Sequence, residues 1–170
     1  MLNNYNTYII YMIPYIPIID DIGFFGPIIL SILTVIILWG RMKYLQLYLV
    51  FMLFNLFSNK VLKKLIQSPR PVNHDKNMIY TTFEKTNGTE TYGMPSGHAQ
   101  SVSFSTLYMY LVTKSDNLLI GSSFISCLTL LQRYRFKRHS IRQLFIGSAI
   151  GCLVAYISYN LSTIIIHSAY

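Results

Sequence analysis

The sequence predicts an all-α, integral-membrane bundle of about six helices, formed by a single domain over residues 1–170. Three observations carry that expectation. Apolar residues make up 52% of the chain and charged residues only 12%, against roughly 25% charged in soluble domains, and the mean hydropathy is +0.41. Long apolar runs recur along the whole length. The basic residues sit in a few short stretches between those runs and are not spread over a solvated face. A length of 170 residues suits one domain and hardly two.

Six apolar stretches follow one another. Thr7–Ile19 is interrupted by Pro14 and Pro17 and is the weakest, with an interfacial or re-entrant path open to it. Gly23–Trp39 is uncharged and is closed by Trp39, Arg41 and Lys43, the aromatic and basic residues that anchor a helix at a membrane interface. Tyr44–Asn59 is expected to continue as helix to Gln67. His98–Thr113, Asn117–Gln132 and Leu144–Ile166 complete the series, the last being the clearest span. Several are shorter than the ~20 residues that cross a bilayer unaided. The third to fifth can cross only if their polar ends reach the headgroups or face a protein-lined cavity. Gly147, Gly151 and Ala155 lie one turn apart and read as a close helix-packing face. Cys127 and Cys152 fall inside apolar runs and read as small buried hydrophobes. No CxxC, zinc-ligand spacing or disulfide framework is present. The N-terminus lacks a basic n-region and a cleavage site, so no signal peptide is expected.

One long polar segment, Ser68–Gly97, has no helical periodicity and holds Asp75, Glu84 and Glu90. It reads as a loop outside the membrane, and long loops in compact domains are often functional. If all six stretches cross, this loop and the connection between the fifth and sixth lie on the same side. The net charge of +8 therefore does not indicate nucleic acid. Cations placed between apolar runs have anionic headgroups or substrate phosphates as their natural partners.

Three short motifs meet on that side. Lys63 is followed by Arg70-Pro71, with Pro69 and Pro71 disfavouring helix at Ser68 and Arg70. Lys63 thus stands in the last turns of a helix and Arg70 on the extended chain beyond it. Arg offers a planar fork for phosphate oxygens and Lys a mobile point charge, although a cluster of this kind alone reads as a headgroup anchor. Next, Pro95-Ser96-Gly97-His98 opens an apolar helix. Gly97 permits close backbone approach, the helix head favours an anion, and His98 stands where it could protonate a leaving oxygen. The plainer alternative is a Ser N-cap followed by a snorkelling His. Finally, Arg133 precedes His139, with Gln143 four residues beyond. Residues four apart on a helix are neighbours, so the Gln143 carbonyl is expected to bind the His139 ring and free its other nitrogen for attack on phosphorus. Arg135, Lys137, Arg138 and Arg142 read as a solvated basic edge.

In this order the motifs resemble the signature of the type-2 phosphatidic acid phosphatase superfamily: Lys-x6-Arg-Pro, Pro-Ser-Gly-His and Ser-Arg-x5-His-x3-Asp. Here they read Lys63…Arg70-Pro71, Pro95-Ser96-Gly97-His98 and Gln132-Arg133…His139…Gln143. Gln132 stands in place of Ser and Gln143 in place of Asp. The runs Tyr92–Gln100 and Ile66–Pro71 look like the dolichyl-diphosphatase branch, which itself tends to carry Gln at the second of those positions. The resemblance implies an acid phosphatase/vanadium haloperoxidase-like helical fold and a phosphatase acting on a lipid phosphate or diphosphate. It also implies the roles. Lys63, Arg70 and Arg133, with Ser96 and the Gly97 backbone, would clamp the phosphoryl oxygens. His139 would become a phosphohistidine, and His98 would protonate the departing oxygen. No metal or other cofactor is implied. Other outcomes of the same constellation are a phosphatidic acid-type phosphatase, a lipid phosphotransferase, a haloperoxidase, or a degenerate lipid-binding protein.

Membrane orientation is drawn two ways. The basic residues on the motif side outnumber those opposite, which by the positive-inside rule puts the site in the cytosol. The dolichyl-diphosphatase likeness implies the lumenal side of the endoplasmic reticulum, where the sequon Asn87-Gly88-Thr89 could be glycosylated. Cations beside a phosphate site have a chemical reason to be there, so the lumenal orientation is the expectation.

Overall fold

The computed structural model describes residues 16–71 and 92–168. These form five helices: α1 (Pro17–Leu38), α2 (Met42–Ile66), α3 (Gly97–Thr113), α4 (Asp116–Arg135) and α5 (Ile141–His167). Three of them, α1, α2 and α5, are long and apolar enough to cross a membrane. At 1.5 Å per residue, 22 to 27 residues extend about 33–40 Å, enough for a hydrocarbon core of about 30 Å. Their outer faces carry Ile28, Ile32 and Ile36, Leu49, Leu53 and Phe57, and Leu153, Ile157 and Ile164, all exposed in the isolated chain. Such surfaces suit lipid as solvent, and the described residues form a helical bundle of a membrane protein.

The short, polar α3 is explained by its place. It packs against α5, α4, α1 and α2. Its buried side chains include Gln100, Ser101, Ser105 and Thr106 as well as Val102, Phe104, Tyr108 and Met109. A helix enclosed by protein needs no lipid-facing apolar stripe, and its polar groups find partners inside. Tyr48 and Ser105 share a hydrogen bond of 2.8 Å. Tyr108 donates to the Tyr44 carbonyl at 3.0 Å and pairs with Ser162 at 3.0 Å. Around them Leu38, Leu45, Tyr48, Phe104, Tyr108, Val112 and Ala155 form the apolar core. The packing face of α5 acts as its spacing suggests: a Cβ at Gly147 would lie 2.6 Å from the Ser96 carbonyl oxygen, so only glycine lets α5 approach the head of α3.

Among the described residues the helices number five, the second to sixth of the expected stretches, and two sequence expectations need correction. The end of the first stretch, Pro17–Ile19, is the opening turn of α1, and Thr7–Tyr15 lies outside the described residues. Asp20 and Asp21 do not separate two stretches, because the helix runs through them. The Asp20 carboxylate accepts the Ile16 N–H at 2.7 Å and pairs with Arg135 at 2.8 Å, at the positive end of the helix dipole. Finally, Cys127 and Cys152 are exposed on the outer surfaces of α4 and α5. In a bilayer, an apolar run does not distinguish lipid-facing from buried positions. The middle of the polar loop, with Asn87-Gly88-Thr89, lies outside the described residues.

Candidate active site

The site forms at one end of the bundle, where α2 ends, α3 begins, and α4 turns into α5. On α2, Asn55, Asn59 and Lys63 are spaced by four and share one buried face. The helix stops at Gln67, which takes a left-handed conformation (φ 49°) and donates its N–H to the Lys63 carbonyl. The chain beyond is extended. Pro69 pairs with Tyr92 in an antiparallel bridge, and the Gly93 N–H donates to the Ser68 carbonyl at 2.7 Å. The two ends of the long loop are therefore pinned together. Arg70 leaves this strand-like segment and donates to the Arg138 carbonyl at 3.2 Å.

The turn into α3 follows a cis Met94–Pro95 bond. The Ser96 side chain accepts the Ala99 N–H at 3.4 Å and caps the helix. Beneath the turn lies a buried amide network. Asn59 donates to the Pro95 carbonyl at 3.3 Å and to Gln100 Oε1 at 2.8 Å. Gln100 donates in turn to Asn55 Oδ1 at 2.9 Å and to Ser58 Oγ at 3.2 Å. One polar stripe on α2 thus holds Lys63 and the head of α3 in a fixed relation. The last turn of α4 presents Arg133, which is 1% exposed. Its carbonyl accepts the N–H groups of Arg138 at 3.0 Å and His139 at 3.3 Å, which folds the connection back over the site. The guanidinium donates through Nη2 to His98 Nε2. A guanidinium has only donors, so His98 Nε2 is the acceptor here, and His98 faces inward and does not snorkel.

His139 is 3% exposed, and its Nδ1 lies 2.9 Å from the Gly93 carbonyl oxygen. A carbonyl can only accept, so Nδ1 carries the proton and Nε2 keeps its lone pair. Burial holds the His139 ring well below the ordinary imidazole range, and the charges of Arg70, Arg133 and Lys63 push the same way; the Gly93 hydrogen bond opposes them. The ring is neutral at neutral pH. A buried, neutral imidazole with one nitrogen fixed and the other basic, among three cations, is arranged to attack an electrophile that carries negative charge.

Gln143 does not orient His139. Its Oε1 accepts the Ser140 N–H at 3.2 Å, and its own N–H donates to Ser140 Oγ at 3.3 Å, a capping box for α5. Its Nε2 donates to the Pro69 carbonyl at 2.7 Å and to Ser68 Oγ at 3.4 Å, and its backbone carbonyl accepts the Ser96 N–H at 3.2 Å. Four-residue spacing places Gln143 near His139 only if both are helical, and His139 lies before the helix begins. The carboxamide instead ties the Arg70 segment to α5 and runs close under Gly93, where a Cβ would meet it at 2.6 Å.

Lys63, Arg70, Ser96, Gly97, His98, Arg133, His139 and Gln143 thus do converge. The solvated basic edge is only half present. Lys137 and Arg142 are exposed, whereas Arg138 is buried and Arg135 is the partner of buried Asp20. Asn55 and Asn59 escaped the motif reading, although two amides at helical spacing before Lys63 in an apolar helix were a signal. Among the described residues no group of three or more His, Cys, Asp or Glu side chains is placed to hold a metal ion.

A helical membrane bundle with a Lys/Arg cradle around two histidines defines a class, and the sequence comparison agrees with it. The PAP2 superfamily matches residues 44–165, and the chain belongs to that superfamily. Among curated relatives it is 31% identical over 111 residues to Dolichyldiphosphatase of Saccharomyces cerevisiae, covering 59% of this chain and 44% of that protein. It is 26% identical over 144 residues to Dolichyldiphosphatase 1 of Dictyostelium discoideum, covering 78% of this chain and 58% of that protein. The chain spans about half the length of these relatives. No solved structure gives a significant match.

Proposed function

We propose that this chain is a single-domain, metal-independent membrane phosphatase that hydrolyses a polyprenyl diphosphate, of the dolichyl type, through a phosphohistidine at His139. The observation that carries the reading is the fixed His139 tautomer, with Nδ1 on the Gly93 carbonyl and Nε2 left as the nucleophile among Lys63, Arg70 and Arg133. The names of the curated relatives support the substrate class.

The terminal phosphate takes the donors of Lys63, Arg70 and Arg133, together with the N–H groups at the head of α3 near Gly97. Ser96 supports that head as its cap. Substrate oxygens draw Arg133 away from His98, whose ring is then available to carry a proton. The His139 Nε2 lone pair attacks the terminal phosphorus, and the bond to the bridging oxygen breaks. His98 delivers a proton to that oxygen, and the polyprenyl monophosphate leaves. Water, deprotonated by His98, then cleaves the phosphorus–nitrogen bond and releases inorganic phosphate. Fixed cations offset the charge throughout. His139 is oriented by a neutral carbonyl, without the electrostatic help a carboxylate gives to a forming imidazolium. An easy leaving group suits such a site, and a phosphate monoester leaves more readily than an alkoxide. The reading extends to a lumenal site in the endoplasmic reticulum, which the dolichyl-diphosphatase likeness of the motifs implies; glycosylation of Asn87 tests it.

The function is tested with purified protein in mixed micelles and excess EDTA, comparing initial phosphate release from a polyprenyl diphosphate and from phosphatidic acid at matched surface concentration. Faster release from the diphosphate, blocked by vanadate, is expected. A preference for phosphatidic acid, or loss of activity on chelation with recovery on adding Mg²⁺, would contradict it.

A further inference from the structure

The superfamily match begins at residue 44, after α1 has ended, yet α1 reaches the site. The Phe24 ring lies 4.9 Å from the Arg133 guanidinium carbon and 5.7 Å from the His98 ring centre. It is 8% exposed, so it closes this side of the Arg133–His98 pair to solvent. Its seat is built from neighbours on the same helix. One turn earlier, Asp20 pairs with Arg135, two residues beyond Arg133. A Cβ at Gly23 would lie 2.6 Å from Gln132 Cβ and 2.8 Å from the Leu128 carbonyl, so α1 meets α4 nearly backbone to backbone. Gly26 lies against the Thr129 side chain. Asp20, Gly23, Phe24 and Gly26 thus form one face fitted to the last turns of α4.

The geometry points to Phe24 as a positioning residue of the phosphoryl site: its ring holds the Arg133 guanidinium and the His98 imidazole in register, and the Asp20–Arg135 pair seats the ring. This rests on the proposed function for the identity of the reaction, though not for the anion-binding role of Arg133. The π face of a Phe attracts a guanidinium laid on it, more strongly where water is excluded. It therefore fixes the plane of the cation, and a ring on the face of a guanidinium takes up none of its N–H donors. An aliphatic side chain of similar bulk would fill the space without that preference.

The test uses the whole detergent-purified protein and orthovanadate as the probe, with binding measured directly and turnover measured separately. Phe24→Leu and Phe24→Met are expected to fold and to bind vanadate about 3- to 30-fold more weakly, the range that loss of a cation–π contact gives. Phe24→Tyr keeps the ring and is expected to stay within about threefold of wild type by the same scale. With substrate, kcat should fall more than KM rises, because Arg133 holds the transferred phosphoryl group and His98 protonates the leaving oxygen. Ile28→Ala, on the outer face of α1, should change neither. Wild-type vanadate affinity in Phe24→Leu or Phe24→Met overturns the inference, as does Phe24→Tyr being as weak as Phe24→Leu. A wild type that binds vanadate but releases no phosphate from polyprenyl diphosphate sinks the proposed substrate, and the binding of the variants still decides this inference.

Discussion

Replacing Gln143 separates two accounts of how His139 is held. If Gln143 bound the imidazole, its loss would free the ring and shift the titration of His139. The structure instead gives the carboxamide three contacts: Ser140 N–H at 3.2 Å, the Pro69 carbonyl at 2.7 Å and Ser68 Oγ at 3.4 Å. Gln143→Leu removes them all and leaves the Ser140 N–H and the Pro69 carbonyl without that partner. Each buried group left unpaired costs about 1–3 kcal/mol, so about 2–4 kcal/mol of stability is expected to go, after partial relaxation of the loop. Gln143→Glu keeps the acceptor of the capping box and loses the donations to the Pro69 carbonyl and Ser68 Oγ, so it should fall between wild type and Leu. Gln143→Asp is one methylene shorter and also lacks the donor, and should resemble Leu more than Glu. The rate should fall with the stability, because the Pro69 segment carries Arg70 and the neighbouring Gly93 carbonyl holds His139. A displacement of about 1 Å at such positions can cost about 10²-fold in rate. The assay is thermal unfolding in detergent beside phosphate release, with the pH profile recorded for each variant. A Gln143→Leu protein with wild-type stability and rate would refute the staple. So would an unchanged stability accompanied by a displaced His139 titration, which is the mark of direct orientation.

Three further outcomes are expected. His139→Ala should keep its fold and lose at least about 10²-fold in phosphate release; a smaller loss would remove His139 as nucleophile. Burial and the neighbouring cations depress His139, so the acid limb of kcat/KM that reports the free enzyme should lie below about pH 6.5. Arg70→Gln takes away a charge that disfavours the imidazolium and should move that limb upward; a downward move would contradict the electrostatic assignment. Gly147→Val should drive its side chain into the Ser96 carbonyl, which already lies 2.6 Å from a Cβ position, and cost about 1–3 kcal/mol, read as a lower Tm. No change in Tm would show that α5 does not seat on α3 as described.

Much of the site was legible because its parts are local. Lys63, Arg70, His98, Arg133 and His139 stand in short motifs whose turns are set by Pro69, Pro71, Pro95 and Gly97, and those turns form as the sequence suggests. Gly147 and Gly151 were legible for the same reason, since one-turn spacing is a property of a single helix. What escaped depends on contacts between distant parts of the chain. Asp20 fell between the first two apolar stretches, and its partner, Arg135, lies on another helix. Arg138 looked solvated because nothing local shows that the α4–α5 connection folds inward. Gln143 was misassigned because four-residue spacing implies proximity only within a helix, and α5 begins after His139. Cys127 and Cys152 could not be placed, since lipid and protein interior both accept an apolar face.

The central claim is a covalent phosphohistidine at His139, and the direct measurement is to trap it. Purified protein is mixed with a polyprenyl diphosphate radiolabelled in its terminal phosphate, quenched in alkali within a turnover, and digested for peptide mapping. Label that is stable in base, labile in acid, and confined to the peptide holding His139 is expected, with none in His139→Ala. Steady turnover with no label on that peptide, or label retained in the alanine variant, would contradict the account.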